Sequence, residues 1–451
     1  MNTTNEDRMD WKVTFLIGLG FFTTGISWAL YNSYVPVWLN GFISDRWIVG
    51  LIMGLDNLAM MFMEPIVGTK SDKTRTRFGR RIPYLIIGIP ISGLFLTMLP
   101  VFRNVDLFPL IAVIVGFLLM MAFYRAPTVA LMPDMVPSKH RSKANGVINL
   151  MGGLGAVYAF LFASFLYAVE PIFAFGSTAL IMLIALVLLV RYVQEPVVDP
   201  AIPNEEVMVQ EVESHSVINS LREVFTNPER TGVFILLAIF FWFLAYNAIE
   251  TWFTSWALET LPHLKNIELT DSVESAEAAA SRMLTAFSLV FVLFAIPAGL
   301  LGQKIGRART IKIGLPLMIG ALFLAYFVGQ FNGLGLGDSA QYFAVMGLLT
   351  IAGVSWALIN VNSIVIVWEV GGNQKLGAYT GVYYLFSSSA AVIGPFFTGF
   401  LFDVLAGGRF ELLFPVCLVF FTVAFVLMFG VKVGEAEPDI ETHEYLAEID
   451  I

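Results

Sequence analysis

The sequence predicts an all-α membrane protein: twelve transmembrane helices arranged as two pseudo-symmetric six-helix bundles. Three observations carry this. Of 451 residues, 57% are apolar and 14% charged, where a soluble chain averages about 25% charged, and mean hydropathy is +0.76. A chain of this composition cannot cover its surface in water, so its main solvent is a bilayer. The apolar residues fall into twelve runs, each near the ~20 residues that cross a hydrocarbon core. A polar stretch divides these runs six and six, and a short charged motif recurs in both halves, as in many transporters built from repeats.

In order, the runs cover roughly 13–38, 48–69, 82–102, 107–131, 144–169, 172–192, 232–258, 283–301, 311–330, 342–368, 378–402 and 412–431. The first is too long for a signal peptide, and Asn32 and Pro36 make no small-residue cleavage site. The chain therefore divides into an N-terminal bundle (1–193), a linker (194–231) with Pro196, Pro200 and Pro203, a C-terminal bundle (232–432) and an acidic tail (433–451). With the N-terminus inside, the inner segments hold 20 Lys and Arg and the outer segments 5. The positive-inside rule then puts both termini in the cytoplasm. Compact loops suit a bacterial inner membrane.

Several classes drop out. A net charge of −9 has the wrong sign for nucleic acid. The lone Cys417 and four unpaired His (140, 215, 263, 443) offer no cysteine cluster or metal motif. No nucleophile–base pair suggests an enzyme, so no cofactor is expected beyond a coupling ion. Gly333-x-Gly335-x-Gly337 follows no strand and is not a nucleotide loop.

The recurring motif reads Gly68-x-x-x-Asp72 then Arg77-x-Gly79-Arg80-Arg81 in the first half, and Gly299-x-x-x-Gln303-Lys304-x-Gly306-Arg307-x-Arg309 in the second. Both copies are expected in cytoplasmic loops. Glycine lets helices approach closely, the acid can pair with a base or a helix N-terminus, and the basic cluster suits an anionic leaflet.

With these residues the sequence resembles the major facilitator superfamily, whose signature is this loop. The segment from Ser71-Asp72-Lys73 through Gly79-Arg80-Arg81-Ile82-Pro83 is similar to the loop of sucrose–proton symporters and the related glycoside–pentoside–hexuronide cation symporters. Arg125-Ala126-Pro127 through Pro133-Asp134, Tyr379-Thr380-Gly381-Val382-Tyr383-Tyr384 and Gly394-Pro395 also resemble the sucrose branch. The resemblance implies a transporter with a cavity lined by spans 1, 4, 7 and 10. It makes Gly68, Asp72, Arg77, Gly79, Arg80 and Arg81 a conformational gate. The mid-span acid of the plant sucrose carriers aligns with Leu118, while Glu64-Pro65 matches the second span-2 acid of melibiose-type carriers.

A charge inside a span costs at least about 2.5–3.5 kcal/mol and marks a functional candidate. These candidates are Asp56, Glu64, Arg125 and Glu250. At about 1.5 Å per residue, Glu64 and Arg125 lie roughly 8 and 9 Å from the inner ends of their spans, which suggests an ion pair. Asp56 and Glu250 both lie roughly 12 Å from the outer ends, at one level in opposite halves. No basic residue shares the depth of Asp56, so it is the first candidate for proton coupling, followed by the Glu64–Arg125 pair. Glu250 is expected to share protons or to accept sugar hydroxyls.

Trp28, Tyr31 and Asn32 on span 1, Asn57 on span 2, Arg125 on span 4, Trp242, Tyr246, Asn247 and Glu250 on span 7, and Trp356, Asn360 and Asn362 on span 10 are the candidate substrate contacts. Aromatic faces suit sugar C–H groups, and amides and acids suit the hydroxyls. The expectation is a proton-coupled symporter, working as a monomer, for a disaccharide or glycoside such as sucrose or maltose. Sodium is the alternative ion, and a proton-driven exporter of small amphipathic compounds is the alternative function. The remaining acids, including Glu195 in the linker and Glu277 in an outer loop, read as solvated charge.

Overall fold

The computed structural model describes residues 10–136, 140–195, 219, 221–222, 224–226, 230–269, 275–330, 335–371 and 376–432. Most of the linker, Gly333 and the acidic tail lie outside them. Within them are twelve helices long and apolar enough to cross a membrane. Spans 1–6 are Trp11–Phe42, Arg46–Lys73, Ile82–Phe102, Leu107–Met135, Ala144–Val169 and Pro171–Tyr192; spans 7–12 are Thr231–Thr260, Ala276–Ile305, Arg307–Gln330, Asp338–Val370, Tyr379–Ala406 and Phe410–Met428.

Helix is the only way an open chain satisfies its backbone in hydrocarbon, so each apolar run coils. The helix starts are built locally. Asp10 accepts the N–H of Val13 at 3.1 Å to open span 1, and Ser275 accepts that of Ala278 at 3.4 Å at the start of span 8. Span 5 passes through a π-helical turn at Tyr158–Ala163.

Packing repeats with a six-span offset. Spans 1 and 5, 3 and 4, 2 and 4, 1 and 6, and 3 and 6 pack together, and so do their counterparts 7 and 11, 9 and 10, 8 and 10, 7 and 12, and 9 and 12. The halves meet through span 2 on span 11, span 5 on span 8, and span 1 on span 7. One pseudo-two-fold axis exchanges the first two of these contacts and maps the third onto itself. Span 2 comes closest to span 11 at Gly50, where an added Cβ would sit 2.3 Å from the Pro395 carbonyl oxygen. Only glycine allows that approach.

The recurring motif does not lie wholly in loops. Gly68 to Lys73 form the last turns of span 2, and Gly299 to Ile305 those of span 8. A helix already hydrogen-bonded through its apolar part continues at little cost past the membrane boundary, which apolar run length does not reveal. The end of the bundle bearing these turns is called the basic end below, and the opposite end the distal end.

Candidate functional site

At the centre, spans from both halves bring ionisable groups together. Asp56 on span 2 is buried, and its Oδ1 accepts the backbone N–H of Asn57 at 2.5 Å and the Asn57 amide at 2.7 Å. Glu250 on span 7 lies within electrostatic reach of Asp56 and close to the Asn32 side chain of span 1. The buried Tyr31 also faces the field of Asp56. Its hydroxyl has no hydrogen-bond partner among the described residues. Arg125 on span 4 forms an ion pair with Glu64 on span 2, and the two side chains are 33% and 32% exposed, so the pair is not sealed inside the packed bundle.

Arg125, though expected at another depth, is also within electrostatic reach of Asp56. Depth along a helix counts Cα levels and omits the long arginine side chain. Arg125 thus pairs with Glu64 and lies within reach of Asp56, which in turn feels Glu250.

The aromatic candidates divide. Tyr246 stacks on Trp356 at 4.2 Å between ring centroids with planes 5° apart, and Phe243 meets Trp356 edge-on at 5.5 Å. Trp28 is partly buried and edge-on to Tyr31 and Phe117, each at 5.9 Å. Asn32, Asn57 and Asn360 keep some exposure.

Three other candidates are used for packing. Trp242 is fully buried. Asn247 donates to the Phe243 carbonyl of its own helix at 2.7 Å. Asn362 is fully buried, donating to the carbonyls of Ala298 on span 8 at 3.2 Å and Leu358 at 3.0 Å. A buried amide needs partners, and here the backbone supplies them for the Asn362 NH2, while its Oδ1 has none among the described residues.

The basic end carries a charge cluster within the N-terminal half. Arg81 is buried and pairs with Asp72 at the end of span 2 and with Asp134 at the end of span 4, the latter at 2.9 Å. It also donates to the Ser71 hydroxyl and to the Gly68 carbonyl at 3.3 Å. Arg80 meets Asp134 at 2.5 Å. Glu195, just past span 6, accepts the backbone N–H groups of Arg80, Arg81 and Ile82 at 2.7–2.9 Å, so it caps span 3. A carboxylate at a helix N-terminus meets unsatisfied N–H groups and a favourable dipole.

Glu195 is thus a buried cap, not solvated charge, and Asp134 is a hub that joins Arg80 and Arg81. Both are short-range acids whose partners lie far away in the chain. Arg77 departs from the expected cluster, standing exposed with its guanidinium 4.7 Å from the Phe78 ring.

Gly79 explains its own place in the motif. Its φ is +101°, and an added Cβ would lie 2.5 Å from that of Glu195. Gly306, its counterpart in the second half, has φ +96°, and the following Arg307 pairs with Glu369 at 2.9 Å. The repeat therefore encodes one turn used twice. Gly79→Ala is expected to cost about 1–2 kcal/mol for the left-handed backbone, and more if Glu195 is displaced. A lower thermal midpoint in detergent, followed by tryptophan fluorescence, checks this.

At the distal end, hydrogen bonds tie the halves together. Asp403 on span 11 accepts the backbone N–H groups of Arg46 and Trp47, the first residues of span 2, at 3.1 and 3.0 Å. The Arg46 guanidinium donates to the Gly408 carbonyl at 3.1 Å and lies 5.0 Å from the Phe410 ring centroid. Asn40 donates to Ser255 at 3.2 Å. Tyr167 on span 5 donates to Glu277 on span 8 and accepts from Trp38 at 3.2 Å, and Arg282 donates to Ser164 at 3.3 Å. Glu277 is thus a cross-half contact rather than loop charge. These contacts hold the halves together at the distal end, while Glu64 and Arg125, nearer the basic end, stay partly exposed.

Known proteins give the same architecture. The family described as Major Facilitator Superfamily matches residues 17–265 and 260–448. No curated protein sequence matches the chain. Among solved structures, the chain is similar to a bacterial homologue of the human lysosomal transporter Spinster in an inward-facing, unoccupied conformation, with 15% identity, 94% of each chain covered and a TM-score of 0.62. It is also similar to a D-xylose–proton symporter, with 14% identity, 93% of this chain and 97% of that one covered and a TM-score of 0.64. A nucleoside transporter has 14% identity, coverages of 93% and 98% and a TM-score of 0.66. At these identities the likeness is one of fold.

Proposed function

Because the chain belongs to the major facilitator superfamily, and is therefore a multi-pass membrane transporter rather than an enzyme, we propose that it is a proton-coupled symporter of a sugar, most suited to a disaccharide or glycoside. The branch resemblance in the loop and in spans 4 and 11 supports this substrate class. The observation that carries the coupling is the central charge group. Arg125 is paired with Glu64 and lies within reach of Asp56, and Asp56 and Glu250 feel one another, so ionisation of all three acids would leave an excess negative charge in a medium that solvates it poorly. Proton uptake removes that excess.

In the proposed cycle, Asp56 binds the coupling proton, Arg125 redistributes between Glu64 and Asp56, and Glu250 with Asn32 accepts sugar hydroxyls. Tyr246, partly exposed and stacked on the buried Trp356, supplies an apolar face. Once proton and sugar are bound from the distal side, the distal contacts at Asp403 and Glu277 form and the basic end opens to release both. The protein needs no resident cofactor and works as a monomer. The basic end faces the cytoplasm of a bacterial inner membrane, with both termini inside.

The experiment is uptake of radiolabelled sucrose, maltose, melibiose and methyl glucoside into liposomes containing the purified protein, under an inward proton gradient. At least one sugar is expected to accumulate above its outside concentration and to lose that accumulation when a protonophore collapses the gradient. Accumulation that follows sodium instead reassigns the ion. Efflux of amphipathic cations with no sugar uptake overturns the symport reading.

A further inference from the structure

Span 11 carries a pair of tyrosines with opposite fates. Tyr383 is buried, its hydroxyl 3.1 Å from that of Ser363 on span 10, and so helps hold the C-terminal half together. Tyr384, the next residue, is 57% exposed. An exposed residue on a span normally faces lipid, but Tyr384 does not fit that placement. At 3.6 residues per turn it shares a face of span 11 with the buried Ala391, Thr398 and Phe402, opposite the exposed Ile393, Phe397, Phe400 and Val404, and its hydroxyl lies within electrostatic reach of Arg125 and Glu64, on spans 4 and 2 of the other half. Exposure on the inward face of a span describes a cavity wall. Its ring is also fixed, edge-on to that of Tyr383 at 5.4 Å and 80°, so its hydroxyl and one face are held in place.

We propose that Tyr384 is a substrate-binding residue that completes the site from the C-terminal half, its ring and hydroxyl taking a polyhydroxylated ring held between it and the partly exposed Arg125–Glu64 pair. This rests on the sugar reading above. The chemistry fits one ligand class. A tyrosine face packs against sugar C–H groups, its hydroxyl donates to or accepts from a sugar hydroxyl, and the facing guanidinium and carboxylate supply a donor and an acceptor across the ring. Because Tyr384 stands on span 11 and its charged neighbours on spans 2 and 4, a bound ring would bridge the two halves. Such a ring would favour their closure at the basic end.

The test has two arms. In a Cys417→Ala background, Tyr384→Cys is labelled with a membrane-impermeant charged maleimide in detergent-free nanodiscs, with and without sucrose, maltose, melibiose or methyl glucoside. Labelling slowed by the transported sugar is expected. Failure of the charged reagent to label, while a lipid-soluble maleimide does, places Tyr384 in lipid and overturns the proposal.

In the second arm, Tyr384→Ala is expected to raise KM for the transported sugar about three- to ten-fold, with Tyr384→Phe between it and the wild type. Tyr384→Trp is expected to keep the aromatic share. Wild-type sugar transport with unchanged KM in Tyr384→Ala overturns the inference alone. A wild type that moves none of the sugars overturns the sugar reading and this inference with it, and the labelling arm then separately decides whether Tyr384 lines the cavity.

Discussion

Asp56→Asn is expected to abolish gradient-driven accumulation while leaving sugar exchange across the membrane in place. One proton crossing about 100 mV carries about 2.3 kcal/mol, enough to support roughly fifty-fold accumulation at 1.36 kcal/mol per factor of ten. Asparagine keeps the size of Asp56 and can still contact Asn57, but it binds no proton, so the driving force has nothing to act on. Accumulation should then fall to the outside concentration, whereas counterflow of labelled against unlabelled sugar, which needs no net proton movement, should persist. Accumulation kept by Asp56→Asn would move the coupling role to Glu64 or Glu250, each tested by the matching glutamine.

The second large effect is structural. Arg81 pairs with Asp72 and Asp134 and reaches Ser71 and Gly68. Its side chain is 5% exposed and that of each partner acid 12%, so the cluster is buried. Removing one partner of a buried ion pair costs about 3–5 kcal/mol, because the other charge remains without compensation. Arg81→Met would leave Asp72 in that position, while Asp134 retains Arg80. A clear drop in thermal midpoint in detergent is therefore expected, with a smaller drop for Arg81→Lys, whose single ammonium cannot span both acids. Arg77→Met is the control: Arg77 stands exposed beside Phe78, and its removal should leave the midpoint nearly unchanged. Equal midpoints for Arg81→Met and wild type would show that the cluster contributes no stability.

The fold was legible because its signal is additive. Twelve apolar runs summed over about twenty residues each outweigh any local ambiguity. Helix ends were less legible: spans 2 and 8 continue through polar residues to Lys73 and Ile305, since hydrogen bonding, not hydropathy, sets where a helix stops.

Charges inside spans were visible because they are rare, and the structure gathers Asp56, Glu64, Arg125 and Glu250 in one region. Their pairing was only partly visible, since the reach of a side chain does not appear in a residue count. Glu195 and Glu277 were hidden among other acids near the ends of spans, and only the fold brings span 3's N-terminus to one and Tyr167 to the other. Asn362 looked like a ligand because an amide in a span needs a partner. The partner proved to be the backbone of span 8, a choice that composition cannot decide. The Tyr383–Tyr384 pair was noticed for its resemblance, but adjacent residues on a helix point in different directions, and only the structure shows that Tyr384 is the exposed one.

The central claim is that protons move with sugar. The most direct measurement adds the transported sugar to liposomes containing the protein in a lightly buffered suspension without any imposed gradient, and records external pH. Coupled entry predicts prompt alkalinisation that scales with sugar uptake and is absent in Asp56→Asn. Sugar entry with no change in external pH would contradict the account.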